Sequence, residues 1–475
     1  MNQESVRRTV VDFLVTHGAE NPVSFHMPGH KGRGEIYERF GYGDFLRNII
    51  GCDITEIPGA DALTQPEDCL LQVMENYAEL YGVRHTELLV NGSSTGLIAS
   101  ILATVPRGGK LIMGRNSHKA VFAALRLGGI EPVYVSPETD PDHNLQREIS
   151  PEKVKNALQA HPDASAVLVT SPNYYGILSD IREIAEVTHG AGKILIVDQA
   201  HGAHLKFFDE LEETTWAAEN QGADLVVNST HKTLMSFTST AILNLCSHRV
   251  DIPTLSEKVR MLQTTSPSYL LMGSLDVNEK ILRRGKELFR NWRENLNFFY
   301  REAAAIPGVS LIQCNSLDRT KINLNMKACG LSGAALSQEL QKRNLWMEMT
   351  HGDYVMMMTG LGNERGDYER MLEALKEIQK QHGVISEAKG SSEALISFDL
   401  EQRDLPGKRK KIPLSEAAGK VLYDSLIPYP PGIPLACPGE VLNTEAVKHV
   451  NHLLDEGVTV IGIDADRMLY TGAEG

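Results

Sequence analysis

The chain of 475 residues is 42% hydrophobic and 23% charged, a composition that fits a globular protein with a large interior and two or three domains. A formal net charge of −14 argues against the concentrated basic surface that nucleic-acid binding needs, and the apolar runs fall far short of the roughly 20 residues that cross a bilayer. Met1–Val10 has no apolar signal core and the scattered cysteines (Cys52, Cys69, Cys246, Cys314, Cys329, Cys437) form no C-x-x-C pair, so a cytoplasmic protein with reduced thiols is expected.

Residues 1–70 form an N-terminal segment around the string "HMPGHKG" (His26–Gly32). Over 71–305 short β-rich runs alternate with helical patterns. "TELLVN" precedes "TGLIASILATV", "KLIMG" precedes "HKAVFAALRLG", and "PVYVS" precedes "PEKVKNALQAH". "SAVLVTSP" precedes "IREIAEVTHGAG", and "KILIVD" and "DLVVNS" follow. Strands that are apolar on both faces, with helices between them, predict an α/β fold with a central, mostly parallel sheet. One long helical stretch is expected over Leu275–Ala304. After Pro307 the shorter units "TKINLNM", "GAALSQELQKRN" and "YERMLEALKEIQKQ" predict a smaller α+β domain over 306–390. "EAKGSSEA" reads as a loop, and 391–475 as a C-terminal module ending in "VTVIGI". Within it the basic run "GKRKK" (Gly407–Lys411) reads as a solvated linker.

Right-handed crossovers bring the C-terminal ends of parallel strands to one edge, where such sheets bind ligands. At one strand end "VNGSSTGLIAS" offers Ser94 and Thr95 at a helix start. These can cradle a phosphate, although ordinary capping explains the loop on its own. "KILIVDQAHGAHL" ends a wholly apolar strand on Asp198, which either caps the Gly202 turn or holds a proton on a ligand nitrogen. His201 and His204 follow without a third ligand at metal spacing, so no metal site is expected. His118 starts a helix beyond another strand, and alone it reads as a cap. "VVNSTHKTLMS" sets Ser229, His231 and Lys232 just past the next strand. A phosphate-type loop, an acid for a pyridine nitrogen and a lysine amine for a Schiff base, all on one edge, suit pyridoxal 5′-phosphate (PLP).

"HMPGHKG", "DQAHGAHL", "STHKTL" and "YPPGIPLACPGE" (Tyr429–Glu440), in this order over nearly the whole chain, resemble the Orn/Lys/Arg decarboxylase family. These are prokaryotic PLP enzymes with the aspartate-aminotransferase-like fold (fold type I). The likeness is to the short form without an N-terminal wing domain. It implies that Lys232 carries the cofactor, Asp198 pairs with its ring nitrogen and His118 stacks on the ring. Ser94, Thr95, Ser229 and His231 are the implied phosphate ligands. The implied assembly is a homodimer or higher oligomer, in which Thr264 or Thr265 of "LQTTSPSY" reaches the partner's phosphate.

The implied activity is α-decarboxylation of a basic amino acid, arginine before lysine and lysine before ornithine. Lys232, His231 or His201 would return a proton to Cα. Glu440 of "CPGE" is the candidate for the substrate's far cationic end, with a structural role in that Pro-Gly turn as the equal alternative. Three departures from the family pattern stand out. Gln199 replaces a common Glu, Arg33 interrupts a glycine pair after Lys31, and "GADALTQPEDCLLQ" (Gly59–Gln72) lacks a Leu-His-x-Pro-x-Gly run. That run lies near the site entrance in relatives, so its loss bears on substrate preference. An aminotransferase on the same fold would need an arginine for the substrate carboxylate. Arg343–Gly360 offers no clear one and Arg365 lies nearby. A non-catalytic sensor or scaffold is the other alternative; the altered Gly59–Gln72 run suggests it, and the intact Lys232, Asp198 and His118 oppose it.

Overall fold

The computed structural model describes residues 9–140, 142–143, 145–385, 400–403, 405, 407–429, 432–455 and 457–473. The expected loop at 387–394 lies outside these residues, as do positions 430 and 431 of the "YPPG" string.

The apolar runs become the central sheet: β1 (His85–Leu89), β2 (Lys110–Gly114), β3 (Glu131–Val135), β4 (Ala164–Thr170), β5 (Ile194–Asp198), β6 (Leu225–Asn228) and β7 (Ala241–Leu245). Their order across the sheet is β1-β7-β6-β5-β4-β2-β3. Strand β7 runs antiparallel to both neighbours, and all other pairs are parallel. Alternate residues feed opposite cores: Leu168, Ile196 and Val227 face one side, and Val167, Val197 and Val226 the other. That two-sided burial is why these strands lack polar alternation. Strand β7 escaped the sequence reading because Asn244 interrupts "AILNL". The amide is buried between strands, accepting from the Thr86 hydroxyl at 2.8 Å and donating to Glu219 at 3.0 Å.

Helix α1 (Gly92–Thr104) follows β1, and α2 (Lys119–Gly128) follows β2. The single long helix expected over 275–304 is in fact two, α3 (Tyr269–Arg284) and α4 (Lys286–Ala304). The break falls at Gly285, where a Cβ would sit 2.6 Å from the Ile281 carbonyl oxygen. A second, antiparallel sheet follows, built from β8 (Ser310–Leu311), β9 (Lys321–Asn325), β10 (Met349–His351) and β11 (Tyr354–Met358) in the order β10-β11-β9-β8. The N-terminal segment packs into this region. Val23–Phe25 pairs in parallel with Leu345–Met347, and Phe25, Tyr77, Trp292, Leu324 and Tyr368 belong to one apolar cluster.

The C-terminal residues have their own apolar cluster, including Ile412, Leu422, Val450 and Leu469. The basic run is not a linker. Arg409–Pro413 is a strand paired with Met468–Gly472; Lys411 meets Asp464 at 2.6 Å, and the Arg409 guanidinium lies 4.2 Å from the Tyr470 ring centroid. Its charges are the solvated face of a two-stranded ribbon. Among the described residues no helix is long and apolar enough to cross a membrane.

Candidate active site

Four loops at the C-terminal edge of the central sheet carry the expected residues. Asp198 is the last residue of β5 and is almost wholly buried. Ser229 follows β6 and caps the short helix Thr230–Thr233 that presents Lys232. Ser94 and Thr95 lie in the first turn of α1, and His118 caps α2 by accepting the Ala120 N–H at 3.2 Å. Residues read one strand at a time thus converge on one edge, as the crossover rule demands.

The chain meets the requirements of an anionic ligand at this edge. The N-cap of α1, Asn91, makes no side-chain capping bond, which leaves the first-turn N–H groups without that partner. Among the described residues the buried Ser229 hydroxyl has no hydrogen-bond partner, and neither has the buried Thr170 hydroxyl at the end of β4. A buried orphan of this kind costs about 1–3 kcal/mol, so two of them on one edge are suited to a polar ligand. Among the described residues the Asp198 carboxyl accepts a single hydrogen bond, from the Ala200 N–H at 3.1 Å. Burial pushes its carboxyl above the usual range, with Lys232 pulling the other way, so a cationic donor such as a protonated ring nitrogen would offset the cost of its charge. These residues fit PLP.

Lys232 does not stand alone. Its Nζ lies 2.9 Å from His201 Nε2, and the other ring nitrogen of His201 is bonded to the Lys321 ammonium group. Tyr174 packs on His201 with ring centroids 4.8 Å apart, and its hydroxyl donates to Glu348 at 3.0 Å. The second Glu348 oxygen accepts the Met27 N–H at 2.9 Å. Lys31 of "HMPGHKG" donates to the carbonyls of His26 and Met358.

The electrostatics follow from three clustered lysines, Lys321 fully buried and Lys31 and Lys232 half-buried. Burial lowers Lys232, and Asp198 and Glu348 oppose that shift. Burial takes Lys31 and Lys321 down to about 7 each. Burial first, then nearby ammonium charge, drops His118 to about 3 and holds His201 far below the imidazole range. His231 falls to about 4, and its Nδ1–H donates to the Thr240 carbonyl at 2.7 Å. Such a ring presents a lone pair at Nε2, so it can donate to a phosphate only when protonated.

Other expected residues lie elsewhere or act differently. Thr264 and Thr265 are exposed, on the turn after Gln263, whose Oε1 accepts the Val90 N–H beside the α1 loop at 3.0 Å. Glu440 is buried, 3.1 Å from Arg115, and also accepts the Cys437 N–H at 2.7 Å. Of the two roles expected for it, these contacts support the structural one. His204 belongs to a separate buried pair with Asp318 at 3.2 Å, and among the described residues no cluster of His, Cys, Asp or Glu is arranged to hold a metal ion. Arg365 lies over the Phe298 ring and pairs with Glu369, so it is a surface residue of the helix Arg365–His382. The altered Gly59–Gln72 run is ordered by Asp61, whose carboxylate accepts N–H groups of Ala62, Glu67, Asp68 and Leu70 at 2.8–3.1 Å.

"HMPGHKG" earns its glycine here. The Gly29 N–H donates to the His231 carbonyl at 2.7 Å, and the Gly29 carbonyl accepts the Gly362 N–H at 3.0 Å. The strap is wedged between the Lys232 turn and the loop 359–362. A Cβ on Gly29 would lie 2.4 Å from the Leu234 carbonyl oxygen.

Residues 9–317 match the family "Orn/Lys/Arg decarboxylase, major domain", and residues 392–456 match its C-terminal domain. The chain belongs to the Orn/Lys/Arg decarboxylase family and is an enzyme of the decarboxylase class. It is 32% identical to an arginine decarboxylase of Bacillus subtilis (strain 168), over 94% of each chain. The Escherichia coli constitutive lysine decarboxylase structure superposes with a TM-score of 0.74 at 19% identity, covering 98% of this chain and 81% of that one. A structure described as "SPT with PLP" superposes with a TM-score of 0.52 at 16% identity, covering 66% of this chain and 77% of that one. The α/β fold of PLP-dependent enzymes expected from the sequence is therefore the fold observed.

Proposed function

We propose that the chain is a PLP-dependent α-decarboxylase of a basic amino acid, arginine ahead of lysine and ornithine, acting in the cytoplasm as a homodimer or higher oligomer. One observation carries this reading: a lysine amine, a buried acid short of partners and an orphaned serine hydroxyl share one sheet edge. The 32% identity to an arginine decarboxylase supports arginine first.

In this reading Lys232 holds the cofactor, and Ser94, Thr95, Ser229 and His231 bind its phosphate, with Thr264 or Thr265 contributed from a second copy. His118 covers the ring. Asp198 keeps a proton at the ring nitrogen. When bound, PLP supplies the sink for the electron pair left as CO2 departs. His201 holds a proton beside the Lys232 amine, where a returning proton is needed. Glu348 is the acidic group that faces Lys31, Lys232 and Lys321, and a cationic substrate tail would find its counter-charge there.

The test is CO2 release from carboxyl-labelled arginine, lysine and ornithine by the PLP-loaded protein. No release from any of them, in protein that shows a bound-cofactor absorption band, overturns the reading. Amino transfer to pyruvate or 2-oxoglutarate would assign the fold's other chemistry.

A further inference from the structure

We propose that Lys321, acting through His201, supplies the proton that replaces the substrate's carboxyl group. The inference rests on the decarboxylase reading above and starts from a bonding constraint.

His201 is bonded at each ring nitrogen to a lysine amine, Lys321 at Nδ1 and Lys232 at Nε2, the latter at 2.9 Å. A neutral imidazole has one donor and one acceptor, and an ammonium group has donors only. Both lysines therefore cannot be charged at once around a neutral ring. Lys232 must be a free amine to react with a carbonyl, so Lys321 is the ammonium, donating to Nδ1. The Nε2–H then points at Lys232. With Lys232 as the free amine and Lys321 charged, the chain runs from Lys321 to His201 to the position of the Lys232 amine.

Lys321 is held for this task. It opens β9 and is fully buried. Its Nζ lies 3.4 Å from the Tyr174 carbonyl oxygen, 5.3 Å from that tyrosine's ring centroid and 3.9 Å from the Met358 sulfur. The charged groups facing it are Asp318, Glu348, Lys232 and Lys31. Among the described residues none of its bonds is to a carboxylate, so its proton is loosely held for an ammonium group.

A neutral imidazole cannot release Nε2–H near neutral pH unless Nδ1 gains a proton in the same event. Lys321 provides that proton. The Cα–carboxyl bond breaks and CO2 leaves; its electron pair, which the cofactor's sink would hold, returns to Cα as the new Cα–H bond forms. The Nε2 proton passes to Cα, and the Lys321 proton passes to Nδ1. Lys321 ends as a neutral amine beside the other ring tautomer, and one proton from water restores both. No charge builds on the ring at any point.

The experiment compares full-length wild type, Lys321→Met, Lys321→Gln, His201→Gln and the Lys321→Met/His201→Gln double variant. We expect Lys321→Met to lose about 100-fold or more in kcat, the scale of general acid catalysis, with KM changed less than about threefold. In D2O the wild type should place deuterium on one face of Cα and Lys321→Met on both. The double variant should be no slower than the slower single variant, because the two residues act as one unit.

A second readout uses cofactor-free protein: the pH midpoint for acylation of Lys232, read by peptide mass analysis, should rise in Lys321→Met as His201 becomes free to accept from a charged Lys232. Wild-type kcat and an unmoved Lys232 midpoint in Lys321→Met overturn the proposal, and so does additive loss in the double variant. If the Met variant does not fold, Lys321→Gln decides, since an amide can bond Nδ1 but cannot give up a proton. A Gln variant with wild-type kcat overturns the relay. A wild type that releases no CO2 overturns the decarboxylase reading instead, and leaves the acylation test of the tautomer standing.

Discussion

Arg115 and Glu440 lie 3.1 Å apart, both buried, and join the strand end that leads to His118 to the C-terminal module. Arg115 also donates to the carbonyls of Pro434 and Leu435 at 2.8 and 3.0 Å, and its guanidinium stacks between Phe122 and Tyr134. Removing one partner strands a buried charge. Glu440→Ala should therefore cost about 3–5 kcal/mol in urea unfolding of the cofactor-free protein, whereas Arg115→Met/Glu440→Leu should recover most of that loss.

Asp198 sets stability against chemistry. Its carboxyl is pushed up by burial, so the folded chain favours the protonated form more than the unfolded chain does. A raised carboxylate contributes stability that is lost as pH rises through the unfolded value toward the folded one. In cofactor-free protein at pH 7, Asp198→Asn should be neutral or stabilising by thermal melt. The same variant should lose PLP affinity and about 100-fold or more of its CO2 release, because the ring nitrogen loses its counter-charge.

Glu348→Gln should separate substrate binding from cofactor binding. It removes the counter-charge that faces the lysine cluster and keeps an oxygen for the Tyr174 hydroxyl. We expect KM for the preferred basic amino acid to rise about tenfold or more, with PLP binding retained. An unchanged KM would remove Glu348 from substrate recognition.

The shared placement of Lys232, Asp198 and the Ser94–Thr95 loop was legible because each ends an apolar strand with a polar group, and all parallel strands end on one edge. Lys321, Glu348 and Tyr174 were not. Lys321 and Glu348 sit in the second sheet region, and folding alone brings them to His201 from far along the chain. The only local signal was a charge set against apolar neighbours, as in "KINLN" and "WMEMT", and solvated strand ends look the same. Glu440 could not be decided between its two expected roles for a related reason. A buried acid in a Pro-Gly turn reads alike whether it meets a ligand or an arginine 325 residues away in sequence. The break at Gly285 was hidden because the flanking helical patterns run on in phase.

Acid should open the cofactor-free protein early. His118 is held at about 3, and His30 and His231 at about 4, mainly by burial, against an ordinary imidazole value of 6.5. The folded chain binds fewer protons than the unfolded chain between these values. The contribution of these rings is present above pH 6.5 and is lost as pH falls from 6.5 toward 4 and 3. Urea midpoints should drop across that interval, and His30→Gln should flatten the slope.

Gly29→Ala should be among the most damaging conservative changes. The added methyl would meet the backbone at Thr233 and Leu234 at 2.4 Å, and backbone cannot yield as a side-chain tip can. A loss of about 1–3 kcal/mol is the ordinary cost of such overpacking. The expected signature is a lower melting temperature together with a displaced Lys232, seen as weakened PLP binding.

The strap at Gly29 also limits how the enzyme can move. It is bonded on one side to the turn that carries Lys232 and on the other to Gly362, and the Leu361 N–H reaches the Thr233 carbonyl directly at 2.9 Å. Any swing of the second sheet would drag the Lys232 turn along with it. Hinged opening of these two bodies is thus mechanically tied to disarming the site.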